Sequence, residues 1–389
     1  MAVYTTIDDS SAHYQGLAYT GDSSSTTSSD RNLTNTGNSD LQPDWIWLFN
    51  RDTQLTGGQK IFDSTRGAGS GKSLSSSITN AEGYNDAAYG YVNSFNSDGF
   101  GVRAGTDTNR WFVDRGAGGG DRYVAFQWKA GGGTTSSNSD GNITSTVQAN
   151  TTAGFSIVTW TGDGSTSGKN VGHGLGAGPK FIISKDRGGA SSLPGWHIYH
   201  PDVGNTHHLT FTTEAKVDSP TWGDTDPTSS VFSVGGEGAY IATNQSSTNY
   251  VAYVFAEKEG YSIFGKYHGN GYNNTAGTYP TGKDGPFIHT GFRPALIFIK
   301  RIDNNGSWTV YDEKRDGYNN ANDALFWNAD STESSSNISG SNIDIFSNGF
   351  KIKSADNTVN ASGGIYTYGA WAAHPQQTSE GVPGTGRCF

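Results

Sequence analysis

Pro43-Asp-Trp-Ile-Trp-Leu-Phe49, Pro179-Lys-Phe-Ile-Ile-Ser184 and Pro294-Ala-Leu-Ile-Phe-Ile299 decide the fold. Each run begins with a proline and continues apolar, without alternation. Proline suits the first residue of a strand, where its missing N–H costs little. A short, unbroken apolar run between turn signals predicts a strand buried on both faces. The three prolines are more than a hundred residues apart, too far for a solenoid repeat and about right for a β-sandwich.

Working outward, the same neighbours recur. Tyr14-Gln-Gly-Leu-Ala-Tyr-Thr-Gly21, Phe155-Ser-Ile-Val-Thr-Trp-Thr-Gly162 and Tyr261-Ser-Ile-Phe-Gly-Lys-Tyr-His-Gly269 open each unit. A basic residue follows each apolar run: Arg51, Lys185 with Arg187, and Lys300 with Arg301. It is expected to pair with Asp63 or Asp312, which end the next strands, Lys60-Ile-Phe-Asp63 and Trp308-Thr-Val-Tyr-Asp312. The second unit has Trp196-His-Ile-Tyr-His200 there. Ser97-Asp98-Gly99 and Ser347-Asn348-Gly349 predict hairpins, because glycine accepts positive φ. Tyr123-Val-Ala-Phe-Gln-Trp128, Tyr250-Val-Ala-Tyr-Val-Phe255 and Tyr366-Thr-Tyr-Gly-Ala-Trp371 close the units, with Tyr123, Tyr250 and Tyr366 as core residues. The predicted fold is therefore all-β: tandem, jelly-roll-like β-sandwich domains, three repeats of one unit. The expected limits are 1–130, 150–258 and 259–375, with a flexible Gly/Ser-rich linker at 131–149 and a polar tail at 376–389. The short join at Ala256-Glu-Lys-Glu-Gly260 predicts tighter coupling of repeats two and three than of one and two.

Composition agrees. Of 389 residues, 55 are glycine, and 10 Trp, 19 Tyr and 19 Phe are too many aromatics to leave in water. A net charge of −10 argues against general nucleic-acid binding, which needs basic patches. No stretch reaches about 18 consecutive apolar residues, so no membrane partner is expected. The first nine residues lack a basic segment followed by an apolar one, so no secretory signal is expected. The single Cys388 offers no intrachain disulfide.

Motifs that suggest chemistry are weak. Gly69-Ser-Gly-Lys-Ser73 resembles part of a phosphate loop, but Arg66 stands where the first glycine belongs and no long helix follows. Gly116–Gly120 and Gly174–Gly178 lack the strand and helix of a dinucleotide site and read as turns. His207 and His208 are adjacent, so a strand sends them to opposite faces, and the same holds for His197 and His200. No metal site is expected from them. Acidic loops at 22–40 and 218–226 lack a twelve-residue calcium loop. No catalytic residue, cofactor or enzymatic activity is expected. The candidate binding residues are the loop aromatics Trp111 and Trp222, with His207 and His208. Loops rich in Tyr, Trp, Ser, Gly and Asn provide adaptable contact surfaces.

Ala153-Gly-Phe-Ser-Ile-Val158, Gly172-His-Gly-Leu-Gly-Ala-Gly-Pro-Lys-Phe-Ile-Ile183, Tyr250-Val-Ala-Tyr-Val-Phe-Ala-Glu257 and Gly282-Lys-Asp-Gly-Pro-Phe-Ile-His-Thr-Gly-Phe-Arg-Pro294 carry a resemblance. Over residues 13–375 the chain resembles the tandem β-repeat virion proteins of tailed bacteriophages, especially those of marine and freshwater bacteria. The first unit departs most, with Asn38-Ser-Asp-Leu-Gln42 where Gly-Phe is expected. The resemblance implies a virion protein made in the host cytoplasm: a tail-fibre, tailspike or tail-associated subunit. Its implied partners are other tail or capsid proteins, further copies of itself as a trimer, and a bacterial surface glycan. A capsid decoration protein and a glycan-degrading tailspike enzyme are the alternatives.

Overall fold

The computed structural model describes residues 5–22, 27–107, 112–115, 120–166, 168–189, 195–235, 242–272, 285–317, 319, 321, 323–333, 338 and 343–375. Among them, α-helix is confined to two four-residue turns, Asp86–Tyr89 and Asn357–Asn360. Apart from two 3-10 turns, Ser10–Ala12 and Pro220–Trp222, the rest of the regular structure is antiparallel sheet.

One strand order occurs three times. In the first large sheet the opening strand Tyr14–Thr20 lies beside the closing strand Arg122–Trp128, then the apolar run Trp45–Asn50, then Lys60–Asp63 and Leu74–Ser75. The sheet of Ser262–His268, Ile365–Pro375, Phe292–Arg301, Thr309–Asp312 and Leu325–Phe326 has the same order. So does the series Phe155–Thr161, Asn249–Phe255, Phe181–Asp186 and Trp196–Tyr199. Small sheets accompany them: Asp30–Leu33 with Gly99–Arg103 and Tyr91–Asn96, Lys169–Gly172 with Val231–Val234, and Phe287–His289 with Gly349–Ile352 and Ile343–Phe346. Both hairpins form, pairing Asn96 with Gly99 and Phe346 with Gly349. In the first sandwich Ile46, Leu48, Phe62 and Ala125 of the large sheet share a core with Leu33, Val92, Phe100 and Val102 of the small one. In the second, Val158, Ile182 and Val254 meet Val171, Phe232 and Val234.

A corner staples each sandwich in the same register. An aromatic ring near the end of the opening strand stacks on the closing tyrosine: Tyr19 on Tyr123 at 5.0 Å, Trp160 on Tyr250 at 5.1 Å, and Tyr267 on Tyr366 at 5.0 Å. The rings lie within 13° of parallel, and each pair sits directly across the ladder. Each closing tyrosine hydroxyl accepts a backbone N–H from the preceding loop: Arg115 at 2.8 Å, Gln245 at 2.9 Å and Ala361 at 2.7 Å. The opening ring donates to the same loop. Tyr19 reaches the Val113 carbonyl, Tyr267 the Val359 carbonyl and Trp160 the Thr243 carbonyl. The next loop residue, Asp114, Asn244 or Asn360, accepts the backbone N–H of Asp22, Asp163 or Asn270. These bonds satisfy buried backbone groups that the ladder leaves over.

The described chain gathers into two compact units, one of residues 11–211 and 217–256, the other of residues 5–10, 212–216 and 257–375. The first and second sandwiches therefore belong to one unit, contrary to the expectation that they are the loosely tethered pair. Odd-numbered residues of the first apolar run explain this. Ile46 and Leu48 face their own sandwich core, while Trp45 stacks on Tyr253 at 4.5 Å and Trp47 meets Phe211 edge-on at 5.4 Å. Trp128 meets Phe255 at 6.0 Å. Polar bonds run through the same junction. Tyr253 donates to Asp63 at 2.8 Å, Arg187 to Glu82 at 2.8 Å, and Trp196 Nε1 to the Ser75 carbonyl at 2.9 Å.

Residues 131–149 are not a free linker. Ser136–Asn138 and Ser145–Asn150 extend the second large sheet beyond its opening strand. The N–H groups of Ala130, Gly132 and Gly133 donate to the Asp44 carboxylate, and those of Gly131 and Gly133 to Gln148 Oε1. Glycine-rich composition reveals loose backbone but not the distant side chains that hold it.

Lys185, Arg187, Lys300 and Arg301, which follow the second and third apolar runs, take other partners than expected. Asp63 pairs with Arg66 and Asp312 with Arg315, each at 2.5 Å. Each arginine also reaches a glutamate, Glu82 at 2.8 Å or Glu333 at 3.0 Å. Arg187 takes Glu82 and Arg301 takes Asp303. Lys185 Nζ donates to the Thr79 carbonyl, and Lys300 Nζ to the carbonyls of Thr212, Thr213 and Gly306. Burial pushes both lysines down, Lys185 to about 8 and Lys300 to about 7, while Asp186 and Glu214 pull in the opposite direction.

The corner and the aromatic junction give separable stability effects. Tyr250→Phe and Tyr366→Phe each leave an N–H without its hydroxyl acceptor and should cost about 1–3 kcal/mol in urea denaturation. Trp45→Ala removes a fully buried ring and should cost about 3–5 kcal/mol. Wild-type stability in both tyrosine variants would show that the closing hydroxyls contribute nothing.

Candidate functional site

Three of the four residues singled out in the sequence come together in the second sandwich. His207–His208 and Val217–Asp218 form a short ladder, and Pro220–Trp222 follows as a 3-10 turn. His208 Nδ1 lies 3.1 Å from the Thr221 hydroxyl. The His208 ring is 5.0 Å from that of His197, on the neighbouring strand. His207 is half-buried, with Nδ1 2.9 Å from the Thr206 hydroxyl.

Trp222 is not a free loop aromatic. It is 1% exposed, belongs to the core of the second sandwich and meets Tyr199 edge-on at 5.9 Å. His208 is buried as well. The loop folds inward because its apolar ring fills the sandwich end. The sequence places Trp222 between polar residues but does not show which way it turns. Trp111 lies outside the described residues, as do Cys388 and the tail 376–389.

The corner is electrostatically unusual. Burial holds His197 well below the ordinary histidine range, helped by His208 and Lys185. Burial, with a smaller effect from His207, lowers His208 to about 4. Both imidazoles are thus neutral near pH 7, suited to packing and hydrogen bonding. His197 was missed as a site residue because its partner His208 is eleven positions away in sequence. Among the described residues, no three His, Cys, Asp or Glu side chains gather as metal ligands.

The exposed chemistry lies elsewhere, on the small sheet of Phe287–His289, Gly349–Ile352 and Ile343–Phe346. Phe287 is 47% exposed and packs edge-on against Phe346 at 5.9 Å. Phe287 and His289 point outward on either side of buried Ile288. Lys351 sits across the ladder from both Phe287 and Asp344, and Asp344 pairs with Lys353 at 3.1 Å. A ring beside such groups can stack on an apolar ligand face while its neighbours bond hydroxyls. The alternation Phe287-Ile-His289 spans only three residues, too few to mark this face in the sequence. The corresponding face of the first repeat is polar: Arg103 pairs with Asp30 at 3.0 Å, and Asn96 donates to Asn32.

These features define the class, a tandem β-sandwich protein with stapled corners. The family described as a domain of unknown function, DUF7483, matches residues 9–375, and the chain belongs to it. No curated protein and no solved structure gave a match. No helix among the described residues is long and apolar enough to cross a membrane.

The histidine pair sets a sign for the pH dependence. Below about pH 6.5 the unfolded chain takes up protons at His197 and His208 that the folded chain refuses, so stability falls as pH drops towards about 4. For His208 the full loss is about 3 kcal/mol. Thermal melts from pH 7 to pH 4.5 should show a steeper decline for wild type than for His208→Gln. Parallel curves would remove the pair from this role.

Proposed function

We propose that the protein is a structural component of a tailed bacteriophage particle: a tail-fibre, tailspike or tail-associated subunit that takes part in host attachment. The observation that carries this reading is the stapled sandwich occurring three times along one chain. Such a frame gives rigid β architecture while leaving loops and sheet faces for contact. The resemblance of the repeat motifs to virion proteins supports the same reading.

The Phe287 face is the surface offered to the host. A half-exposed ring beside Phe346, with His289, Lys351 and Asp344 nearby, suits a surface glycan, whose rings have an apolar face and a hydroxyl rim. Self-association as a trimer would multiply a weak single-site affinity.

Purified particles analysed by mass spectrometry and cross-linking should contain the protein at a few tens of copies or fewer, cross-linked as trimers to tail components. Absence from particles overturns the reading, and hundreds of copies on the shell would replace it with a capsid role. Phe287→Ala should lower retention on host-cell glycan at least tenfold while lowering the melting temperature only slightly, because its ring is about half exposed. Equal retention would remove this face from attachment.

A further inference from the structure

Gly69-Ser-Gly-Lys-Ser73 lacks the sequence context of a phosphate loop, yet its backbone does what such loops do. The N–H groups of Gly71, Lys72 and Ser73 converge on one oxygen, Asp86 Oδ2, at 3.0, 3.1 and 3.1 Å. The Ser73 hydroxyl donates to the other oxygen, Oδ1. Lys60 Nζ lies 3.7 Å from Oδ1, and the side chains of Lys60 and Asp86 are both 0% exposed. The ammonium also donates to Ser73 Oγ and to the Tyr84 carbonyl, with the Phe112 ring 4.1 Å away. Successive N–H groups converging in this way form an anion-binding concavity, and here a cation reinforces it.

The backbone is shaped for this arrangement. Gly71 has φ +87°, a left-handed conformation that other residues rarely adopt. Gly83 packs so tightly that a Cβ there would lie 2.5 Å from Gly71 Cα, and its N–H donates to the Ser73 carbonyl. The loop is therefore fixed from both sides around its carboxylate.

We propose that the backbone of residues 71–73, the Ser73 hydroxyl and the Lys60 ammonium form an oxyanion site. The chain keeps it filled with its own Asp86 carboxylate, and the site accepts inorganic phosphate or sulfate when that carboxylate is removed. Asp86 acts as an internal ligand, closing the 69–73 loop onto the turn at 86–89. A tetrahedral oxyanion likewise presents oxygen atoms to the N–H groups and negative charge to Lys60. This site is independent of the attachment reading.

The test is Asp86→Ala, melted in sodium chloride, sodium phosphate and sodium sulfate at matched ionic strength. In chloride the variant should melt well below wild type. Phosphate and sulfate at ~10 mM should raise its melting temperature saturably by several degrees, as expected for a ligand that binds only the folded state. Wild type should show no such saturable rise, and adding Lys60→Met to the variant should abolish it. If Asp86→Ala does not fold in chloride, its refolding yield from urea should rise with phosphate and not with chloride. Wild-type stability of Asp86→Ala in chloride overturns the proposal. So does an equal response of wild type and variant to phosphate, or a refolding yield indifferent to it.

Discussion

A strand that is apolar on both faces must be covered twice. Trp45-Ile-Trp-Leu-Phe49 meets that constraint in two directions, and the arrangement of the first two sandwiches follows from it. Ile46 and Leu48 require the small sheet and receive Val92, Phe100 and Val102. Trp45 and Trp47 require a second layer and receive Tyr253 and Phe211. Neither sandwich of this unit is complete alone. The backs of two sheets supply each other's missing cover, which is why the Gly-rich segment between them is drawn into hydrogen bonds.

Polar groups trapped in that junction are held in chains. Arg66 lies between Asp63 and Glu82, Glu82 between Arg66 and Arg187, and the Tyr253 hydroxyl bonds Asp63. Arg315 repeats the core of this arrangement with Asp312 and Glu333. A buried charge is tolerable when its partners and hydrogen bonds are all present, and removing one member strands the others. Such chains favour one arrangement of the layers over near alternatives.

The frame was legible in the sequence where local rules apply. Prolines marked the buried strands, Asp-Gly and Asn-Gly marked hairpins, and Tyr123, Tyr250 and Tyr366 marked a recurring core position. What was illegible depends on distant side chains. Nothing near residues 131–133 announces Asp44 or Gln148, and nothing near Trp222 announces that the loop turns inward. The candidate surface was hidden for a related reason: a three-residue strand, Phe287–His289, is too short for its alternation to stand out. The Gly69–Ser73 loop reads as a motif without its helix, and a sequence motif cannot reveal that Asp86, thirteen residues on, fills the cradle.

The stapled corner has one property its three copies reveal only together. The hydroxyl reaches back eight residues in the first copy and five in the other two, yet the ring pair keeps its spacing and tilt. The closure thus lies in the ends of the loop and is indifferent to what is spliced between them. Chain can be inserted or exchanged there at the modest entropy cost of a longer loop, without renegotiating the core. A lineage built on this unit can diversify its outermost segments rapidly while the frame beneath stays the same.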